Sequence, residues 1–415
     1  MEHTIEVMHF ADTHFGVETY GRLDPATGIN TRLMDFKQSL SDAMHIALAR
    51  GVQLAVFSGD AYKGRDPSQT HQRAFAECIR LLTEKNIPVV MLTGNHDIPS
   101  VRGRAHAVEI FRVLGAKNVH ILHKPEIIIV ETTGGPVQIA AMPYMMKSSQ
   151  LAREEYLGKT VEQIRQIMES KYVEYLHMLR DKCVPDVPTM MLGHFWVSDA
   201  QLSSWQKAYL NLREPQVSVS ALVQDPYDYV AMGHIHKHQL INKNGYPSVV
   251  YAGSPDRIDF GEKDEPKGFV LVHLARKQTT WEFIEVPGSR PFVEISVDAD
   301  TDNPTEKILE AIARHNLDGA IARLTYKISA NRQPLIRENE IRDALSPAFM
   351  VVAIRREVLR EQLTRSNVHT ESLDPGMALE FFLDQTEKGR KRKPELMPYA
   401  ERLFDELRKE ELLTE

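Results

Sequence analysis

The sequence is poor in cysteine, in net positive charge and in long apolar runs. Its 415 residues include two cysteines, Cys78 and Cys183, which lie far apart. This excludes a disulfide framework and a cysteine-rich zinc site, and it favours a reducing cytoplasm. No run approaches the roughly 18 apolar residues of a membrane span, and the opening MEHTIEVMHF lacks the layout of a signal peptide. We therefore expect a cytoplasmic protein with no membrane contact.

The charge balance is acidic, with a formal net charge of −7. Composition therefore does not indicate a nucleic-acid binder, and any contact with phosphates would have to use local basic patches or metal ions. The hydrophobic fraction of 42% is enough for a large core. The length suggests about two to three domains.

Apolar runs and helical patterns alternate along the chain. IEVMHF, QLAVFSGD, PVVMLTGNHD and TMMLGHF are typical of strands, and LMDFKQSLSDAMHIALAR is typical of a helix. The order predicts a layered α/β domain over 1–288, with parallel strands first and antiparallel strands later. After VPGSRP the pattern reads β-α-β-α-β, which predicts a small α+β domain over 289–368. Residues 369–415 are expected to form a linker and two amphipathic helices, with the basic run GRKRK (389–393) as a solvated segment between the helices.

Residues that can bind metals recur where the apolar strands end. They form five groups along the sequence: Asp12 with His14; Asp60; Asn95 with His96 and Asp97; His194; and His234 with His236. In open α/β sheets, sites form beyond the carboxyl ends of strands, so we expect these groups to converge. Taken singly, each group has an ordinary explanation such as a turn, a helix cap or a core histidine. The third histidine of GHIHKHQ, His238, is expected to lie outside the ligand set.

The side-chain types predict the chemistry of this site. Imidazoles, carboxylates and a carboxamide without any thiolate suit Mn²⁺, Fe or Zn²⁺ rather than a structural zinc knot. Seven such ligands exceed the needs of one tetrahedral ion and suit two ions that share a carboxylate. Two ions about 3.5–4 Å apart can bind a phosphate group and activate water. The sequence shows no nucleophile elbow.

These motifs also carry a resemblance. ADTH, SGD, GNHD, GH and GHIH resemble the calcineurin-like metallophosphoesterase superfamily. More narrowly, GRLDPATGINTRLMDF (21–36), GHIHKHQ and VVYAGSPDRIDFGEKDEPKGF (249–269) resemble the SbcD family of DNA double-strand-break repair nuclease subunits. The resemblance implies a layered αββα sandwich, a small α+β capping domain that binds DNA, and a C-terminal helical pair.

The resemblance also implies a role for each candidate residue. One ion would be held by Asp12, His14, Asp60 and His236. The second ion would be held by Asp60 as a bridge together with Asn95, His194 and His234. His96 would protonate the leaving oxygen or stabilise the transition state, with Asp97 orienting its ring.

The implied function is a DNA exonuclease and endonuclease subunit that acts with an SbcC-type ABC ATPase. Mn²⁺ is the favoured ion, with Fe, Zn²⁺ and Mg²⁺ as alternatives. A homodimer is expected through catalytic-domain helices near 69–86. The alternatives are a small-molecule phosphodiesterase or phosphatase with the same metal chemistry, and a non-catalytic scaffold that recruits the ATPase. LGKT (157–160) is not a P-loop, because Arg153 stands where that motif needs glycine.

Two surfaces are expected to contact partners. Arg102 and Arg104, which follow GNHDIPSV, are candidates for contacts with DNA phosphates, although they could instead pair with carboxylates. The C-terminal helices would either pack on their own chain or dock on the coiled-coil base of the ATPase. Their large apolar residues are Phe381, Phe382, Leu396, Leu403, Phe404 and Leu407.

Overall fold

The computed structural model describes residues 4–99, 104–146, 157–203, 206, 214–359, 375–384 and 387–411. The chain divides into two compact units, Met1–Glu357 and Val358–Glu415. Among the described residues, no helix combines the length and the apolar character that a membrane crossing needs.

The strands and helices follow the predicted alternation. The strands are β1 (Ile5–Phe10), β2 (Leu54–Phe57), β3 (Val89–Leu92), β4 (Val119–Leu122), β5 (Glu126–Thr132), β6 (Gly135–Met142), β7 (Thr189–His194), β8 (Trp196–Val197), β9 (Gln216–Val217), β10 (Tyr229–Gly233), β11 (Gln239–Leu240), β12 (Ser248–Tyr251), β13 (Gly268–Leu274), β14 (Thr280–Glu285), β15 (Phe292–Asp298), β16 (Ile321–Ser329) and β17 (Met350–Leu359). The helices are α1 (Thr31–Ala49), α2 (Gln69–Thr83), α3 (Glu109–Val113), α4 (Val161–Lys182), α5 (Pro304–Ala313), α6 (Glu338–Leu345), α7 (Pro375–Asp384) and α8 (Glu387–Glu411).

Two six-stranded sheets form the middle of the first unit. Their strand orders are β14-β13-β1-β2-β3-β4 and β11-β12-β10-β7-β6-β5. Strands β1 to β4 run parallel, as do β6, β7, β10 and β12, while β13 pairs antiparallel with β1 and β14. The carboxyl ends of the parallel strands therefore gather at one edge of each sheet.

The alternation of side chains along the strands explains the layers. Val7 and Val56 face the apolar layer between the two sheets, whereas Met8 and Phe57 pack in the cluster that contains residues of α1 and α2. On the other side, residues of the second sheet pack with Tyr172 and its neighbours on α4. Strands that are buried on both faces need apolar side chains on both faces, and the short apolar runs of this sequence provide them. The predicted αββα sandwich is confirmed.

Capping side chains mark where the helices begin. Asn30 accepts a hydrogen bond from the Arg32 amide at the start of α1, and Ser68 accepts from the His71 amide at the start of α2. Thr160 of LGKT forms a capping box with Gln163 at the start of α4. LGKT is therefore a helix N-terminus rather than a P-loop.

The predicted β-α-β-α-β order is present after residue 289. Strands β15, β16 and β17 form a three-stranded sheet, and α5 and α6 pack with it around Ile308, Leu324 and Ile341. This subdomain belongs to the first compact unit. A domain boundary at 288/289 stays a prediction, and the predicted boundary at 368/369 lies outside the described residues.

In the second unit, the basic run GRKRK does not form a linker. Residues 389–393 lie inside α8, and Lys393 pairs with Glu380 and Asp384 of α7 at 2.9 and 2.6 Å. The expectation of a linker is therefore wrong, because the run is part of a helix, whereas Arg390, Lys391 and Arg392 are exposed, as expected of a solvated run.

The apolar residues of the second unit differ in exposure. Phe381, Phe382 and Leu403 are exposed, at 46%, 70% and 58%. Leu396 and Phe404 are half-buried. Leu407 lies in α8, and its side chain is not among those that the structure describes.

Candidate metal centre

The predicted ligands meet where strands of both sheets end. Asp12 and His14 follow β1, Asp60 follows β2, and His234 follows β10. These four residues have positive φ angles of 52°, 43°, 62° and 93°. Left-handed backbone is uncommon for residues other than glycine and concentrates at functional sites, where the surrounding structure maintains the strain.

The first cluster joins Asp12, His14 and His236. The Nε2 atoms of the two histidines lie 3.0 Å apart, and His14 Nε2 is 4.0 Å from Asp12 Oδ1. His14 Nε2 is also 3.7 Å from Asp60 Oδ2. All four residues are buried, so this cluster brings two nitrogens and two carboxylates to one point.

The second cluster joins Asp60, His194 and His234. His194 Nε2 lies 3.3 Å from Asp60 Oδ2 and 3.1 Å from Asn95 Oδ1. His234 Nδ1 lies 3.0 Å from the same Asn95 oxygen. Asp60 therefore stands between the clusters, which is the position expected of a bridging carboxylate.

Three histidines have an acceptor beside the ring nitrogen that points away from the clusters. His194 Nδ1 is 2.6 Å from the Ser58 carbonyl oxygen, and His236 Nδ1 is 2.8 Å from Glu262 Oε1. His234 Nε2 is 3.3 Å from Glu214 Oε2. Such contacts orient metal-binding histidines. Neither glutamate was predictable from the sequence, because neither follows one of the strands that end in the candidate ligands.

His96 and Asp97 do not act on each other as predicted. The ring of His96 is held at Nδ1 by the Lys63 carbonyl oxygen, 2.7 Å away. The carboxylate of Asp97 instead accepts backbone N–H bonds from Asp60, Ala61 and Gly94 at 2.9–3.0 Å. The expectation that Asp97 orients the His96 ring is therefore wrong, because both of its oxygens bind loop amides.

Two glycines allow the loops to approach closely. A Cβ on Gly233 would lie 2.1 Å from the Ser58 carbonyl oxygen, and a Cβ on Gly94 would lie 2.1 Å from Asp60 Oδ1. Any side chain at these positions would displace backbone or a predicted ligand.

Burial and neighbouring charges shift the ionisation of the site. Burial lowers the pKa of His14 well below its usual range, and His236 lowers it further, so the ring stays neutral. Burial would also lower the pKa of His194, but Asp60 outweighs it and raises that pKa to about 9. Burial and the nearby Asp60 carboxylate raise the pKa of Asp97, which its amide donors only partly offset. A cation would therefore compete with a proton for His194.

The donor set fits divalent ions. The convergence of His14 Nε2 and His236 Nε2 at 3.0 Å directs two nitrogen atoms at one point beside carboxylate oxygens. The second cluster adds two imidazoles, a carboxamide oxygen and the shared Asp60. Nitrogen and oxygen donors of this kind suit Mn²⁺, Fe and Zn²⁺.

The remaining predicted residues lie around this centre. The His238 ring stacks on Phe283 at 4.1 Å between centroids and contacts the Tyr251 carbonyl oxygen, so it lies outside both clusters. Arg104 is exposed. Arg102 lies outside the described residues.

Comparison with known proteins agrees with this geometry. Residues 5–238, more than half of the chain, match the family profile described as calcineurin-like phosphoesterase. The chain belongs to this family. The prediction of a metal-dependent phosphodiesterase is confirmed at that level.

The alignments with individual relatives cover most of the chain. The chain is 24% identical over 384 residues to the DNA double-strand break repair protein Mre11 of Thermoplasma acidophilum, which covers 88% of this chain and 87% of that protein. It is 22% identical over 303 residues to the SbcD component of the SbcCD nuclease of Escherichia coli K12, covering 71% of each. A crystal structure of a dimetal phosphatase from Danio rerio matches with a TM-score of 0.40 and 12% identity, over 68% of this chain and 96% of that one. The resemblance to the SbcD family is confirmed.

The contacts of Asp97 predict that its replacement lowers the free energy of unfolding, whereas replacement of the neighbouring His96 does not. Asp97→Ala would leave three buried amides without their acceptor, and each such loss costs about 1–3 kcal/mol. We expect its free energy of unfolding to fall by about 3 kcal/mol or more in urea denaturation of the metal-free protein. His96→Asn alters a side chain that is 38% exposed and should change stability by about 0.5 kcal/mol or less. Equal stability of the two variants would contradict this role for Asp97.

Proposed function

We propose that this protein is a Mn²⁺-dependent DNA nuclease subunit with exonuclease and endonuclease activity, which processes DNA ends in double-strand-break repair together with an SbcC-type ABC ATPase. The carrying observation is the pair of ligand clusters joined by Asp60. The relatives support the substrate, because two that match most of the chain are named as a break-repair protein and a nuclease component. A cytoplasmic location is part of the proposal, since it would keep the free thiols of Cys78 and Cys183 reduced.

The ligands are divided between two ions in this proposal. The first ion takes Asp12, His14, Asp60 and His236. The second takes Asp60, Asn95, His194 and His234. When bound, two such ions activate water and neutralise the charge of a phosphodiester. The chain's own contribution is to hold seven donors in place before substrate arrives, which avoids reorganisation during the reaction.

His96 is the proposed proton donor. Its side chain is 38% exposed and its Nε2 lies 4.0 Å from Asp60 Oδ2. With His14 and Asp60 it forms a third group close enough to hold an ion, so it borders both clusters and still faces solvent. Because the Lys63 carbonyl oxygen accepts from Nδ1, a protonated ring keeps Nε2–H available for the leaving oxygen. Lys63 therefore takes the orienting role expected of Asp97.

A groove beside this face is the proposed path for the DNA backbone. It has a volume of about 780 Å³, and its lining includes Arg65 and Arg104 beside Asp66 and Glu109. Ile110 and Val113 also line it, so the groove would border the subunit interface of the dimer proposed below. The loop that supplies Arg65 also supplies the Lys63 carbonyl that holds His96. Phosphate contacts from such arginines position a duplex without reading its sequence.

The activity test uses end-labelled duplex and hairpin DNA with Mn²⁺ or Mg²⁺, beside a generic phosphodiester. We expect Mn²⁺-dependent cleavage of both DNAs. His96→Asn should lose about 10²–10⁴-fold in rate while it retains metal, since general acid catalysis contributes that much. Asp60→Ala should bind neither ion and be inactive. Hydrolysis of the generic ester without DNA cleavage would favour the small-molecule phosphodiesterase instead.

A homodimer through α2 and α3 is also proposed. The Phe111 ring of α3 lies 6.2 Å from Phe75 of α2, while Ile110, Val113 and Leu114 are 45%, 70% and 75% exposed. Burying such side chains in a dimer would gain about 1.5–3 kcal/mol each.

Light scattering tests the dimer at micromolar concentration. Wild type should show twice the chain mass. The double variant that combines Val113→Asp and Leu114→Asp should show the monomer mass. Leu335→Asp replaces another exposed apolar residue, 48% exposed, on the small subdomain and should remain dimeric. A monomeric wild type would refute the proposal.

The C-terminal helices are the proposed docking site for the ATPase. Phe381, Phe382 and Leu403 are exposed apolar residues on α7 and α8, as a helix-in-groove contact requires. Deletion of 371–415 should abolish binding to an SbcC-type ATPase in a pull-down, while metal content and Mn²⁺-dependent cleavage stay nearly intact.

Replacement of Leu403 and Phe404 by Glu should reproduce that loss of binding. Arg402→Gln changes an exposed residue on the face of α8 turned away from Leu396, Phe404 and Leu407, and should bind normally. Loss of metal or unfolding of the truncated protein would mean that the helices support the catalytic domain, and full binding would place the docking site elsewhere.

A further inference from the structure

Glu262 lies directly behind one of the proposed ligands. Its Oε1 is 2.8 Å from His236 Nδ1, and the opposite ring nitrogen, Nε2, faces His14 in the first cluster. A proton on Nδ1 that is donated to a carboxylate leaves the lone pair on Nε2. We infer that Glu262 is a positioning residue that holds His236 in the tautomer and orientation that bind the first ion. This inference rests on the proposed function and concerns how the chain prepares that site.

The second oxygen of Glu262 keeps the carboxylate in place. Oε2 lies 2.8 Å from Lys267 Nζ and accepts a hydrogen bond from the Ile258 amide at 3.0 Å. An ammonium and an amide can only donate, so Oε2 is the acceptor of both, and Oε1 is turned to the Nδ1 atom of His236.

Lys267 is held by its own set of acceptors. Its Nζ contacts the His236 carbonyl oxygen at 3.2 Å, Ser254 Oγ at 3.0 Å and Glu265 Oε2 at 3.1 Å. Glu262 and Lys267 are 0% and 1% exposed. Because desolvation offsets much of the attraction within a buried ion pair, such a pair contributes little to stability. The contact with His236 instead gives this pair a role at the candidate metal centre.

Packing fixes the turn that carries Glu262. Residues Phe260–Glu262 form a 3-10 turn, in which Asp259 accepts from the Gly261 amide. The Phe260 ring packs edge-on against Phe292 at 5.0 Å, and Arg323 lies 4.3 Å above it. The carboxylate is therefore presented by a braced turn rather than by a free loop.

The test titrates Mn²⁺ alone into metal-free wild type and Glu262→Gln, with bound ions counted by electron paramagnetic resonance and affinities measured by calorimetry. We expect wild type to bind two ions. Loss of such a contact typically lowers metal affinity by about 10–100-fold. We expect that loss at one ion only, because Asp60, His194 and His234 are untouched.

Glu265→Gln is the matched control. Glu265 also contacts Lys267, at 3.1 Å, but its carboxylate is 11% exposed rather than fully buried. It should bind both ions with wild-type affinity. An equal loss in Glu265→Gln would show that the effect arises through Lys267 and would overturn the inference, as would wild-type affinity in Glu262→Gln.

A second variant separates positioning from folding. Glu262→Gln combined with Lys267→Met removes both buried charges and avoids leaving one uncompensated. Its metal-free melting curve is compared with that of wild type, and its affinity for one ion should remain reduced. A folded double variant with wild-type affinity overturns the role of Glu262. Wild type that binds no Mn²⁺ overturns the proposed function itself, which distinguishes the two failures.

Discussion

The metal centre depends on one buried carboxylate that binds no predicted ligand side chain. Asp97 accepts hydrogen bonds from the amides of Gly94, Asp60 and Ala61, and so ties the loop after β3 to the loop after β2. This closure sets the backbone of Asp60, whose side chain faces His14 at 3.7 Å on one side and His194 at 3.3 Å on the other. Without the tie, the loop of Asp60, the proposed bridging carboxylate, would lose two of the hydrogen bonds that hold it.

The strain of the site is distributed over the strand ends. Four predicted ligands have left-handed backbone, a conformation that costs of order 1–3 kcal/mol at each such residue. The sandwich offsets this cost because the strands before the loops are buried, apart from Glu6 of β1, and hydrogen-bonded in register. Backbone contacts add to this, since the Asp12 amide donates to the Gly59 carbonyl and the His234 amide donates to Asp12. The donors are thus placed before any ion or substrate binds.

The convergence of the candidate ligands was predictable from the sequence because polar residues end apolar strands, and strand ends converge by topology. The contacts of Asp97 were not predictable, because two of its three partners are backbone amides about 36 positions away, which carry no side-chain signal. Glu262 and Glu214 are set by tertiary contacts with histidines rather than by strand ends. The helical conformation of GRKRK was not predictable from the sequence, because Gly389 and a run of charges are typical of linkers. Contacts with α7 favour a helix there.

The small α+β subdomain is joined to the catalytic layers by charge as well as by packing. Arg290 binds Asp35 of α1 through two hydrogen bonds of 2.6 and 2.8 Å, and its guanidinium lies 3.9 Å above Phe349. A two-point arginine–carboxylate contact fixes orientation as well as distance. The same junction includes Phe260, two residues before Glu262, so side-chain contacts continue from the subdomain to His236. A displacement of this subdomain would break these contacts and so disturb the first ligand cluster. The junction is therefore part of what supports the candidate metal centre.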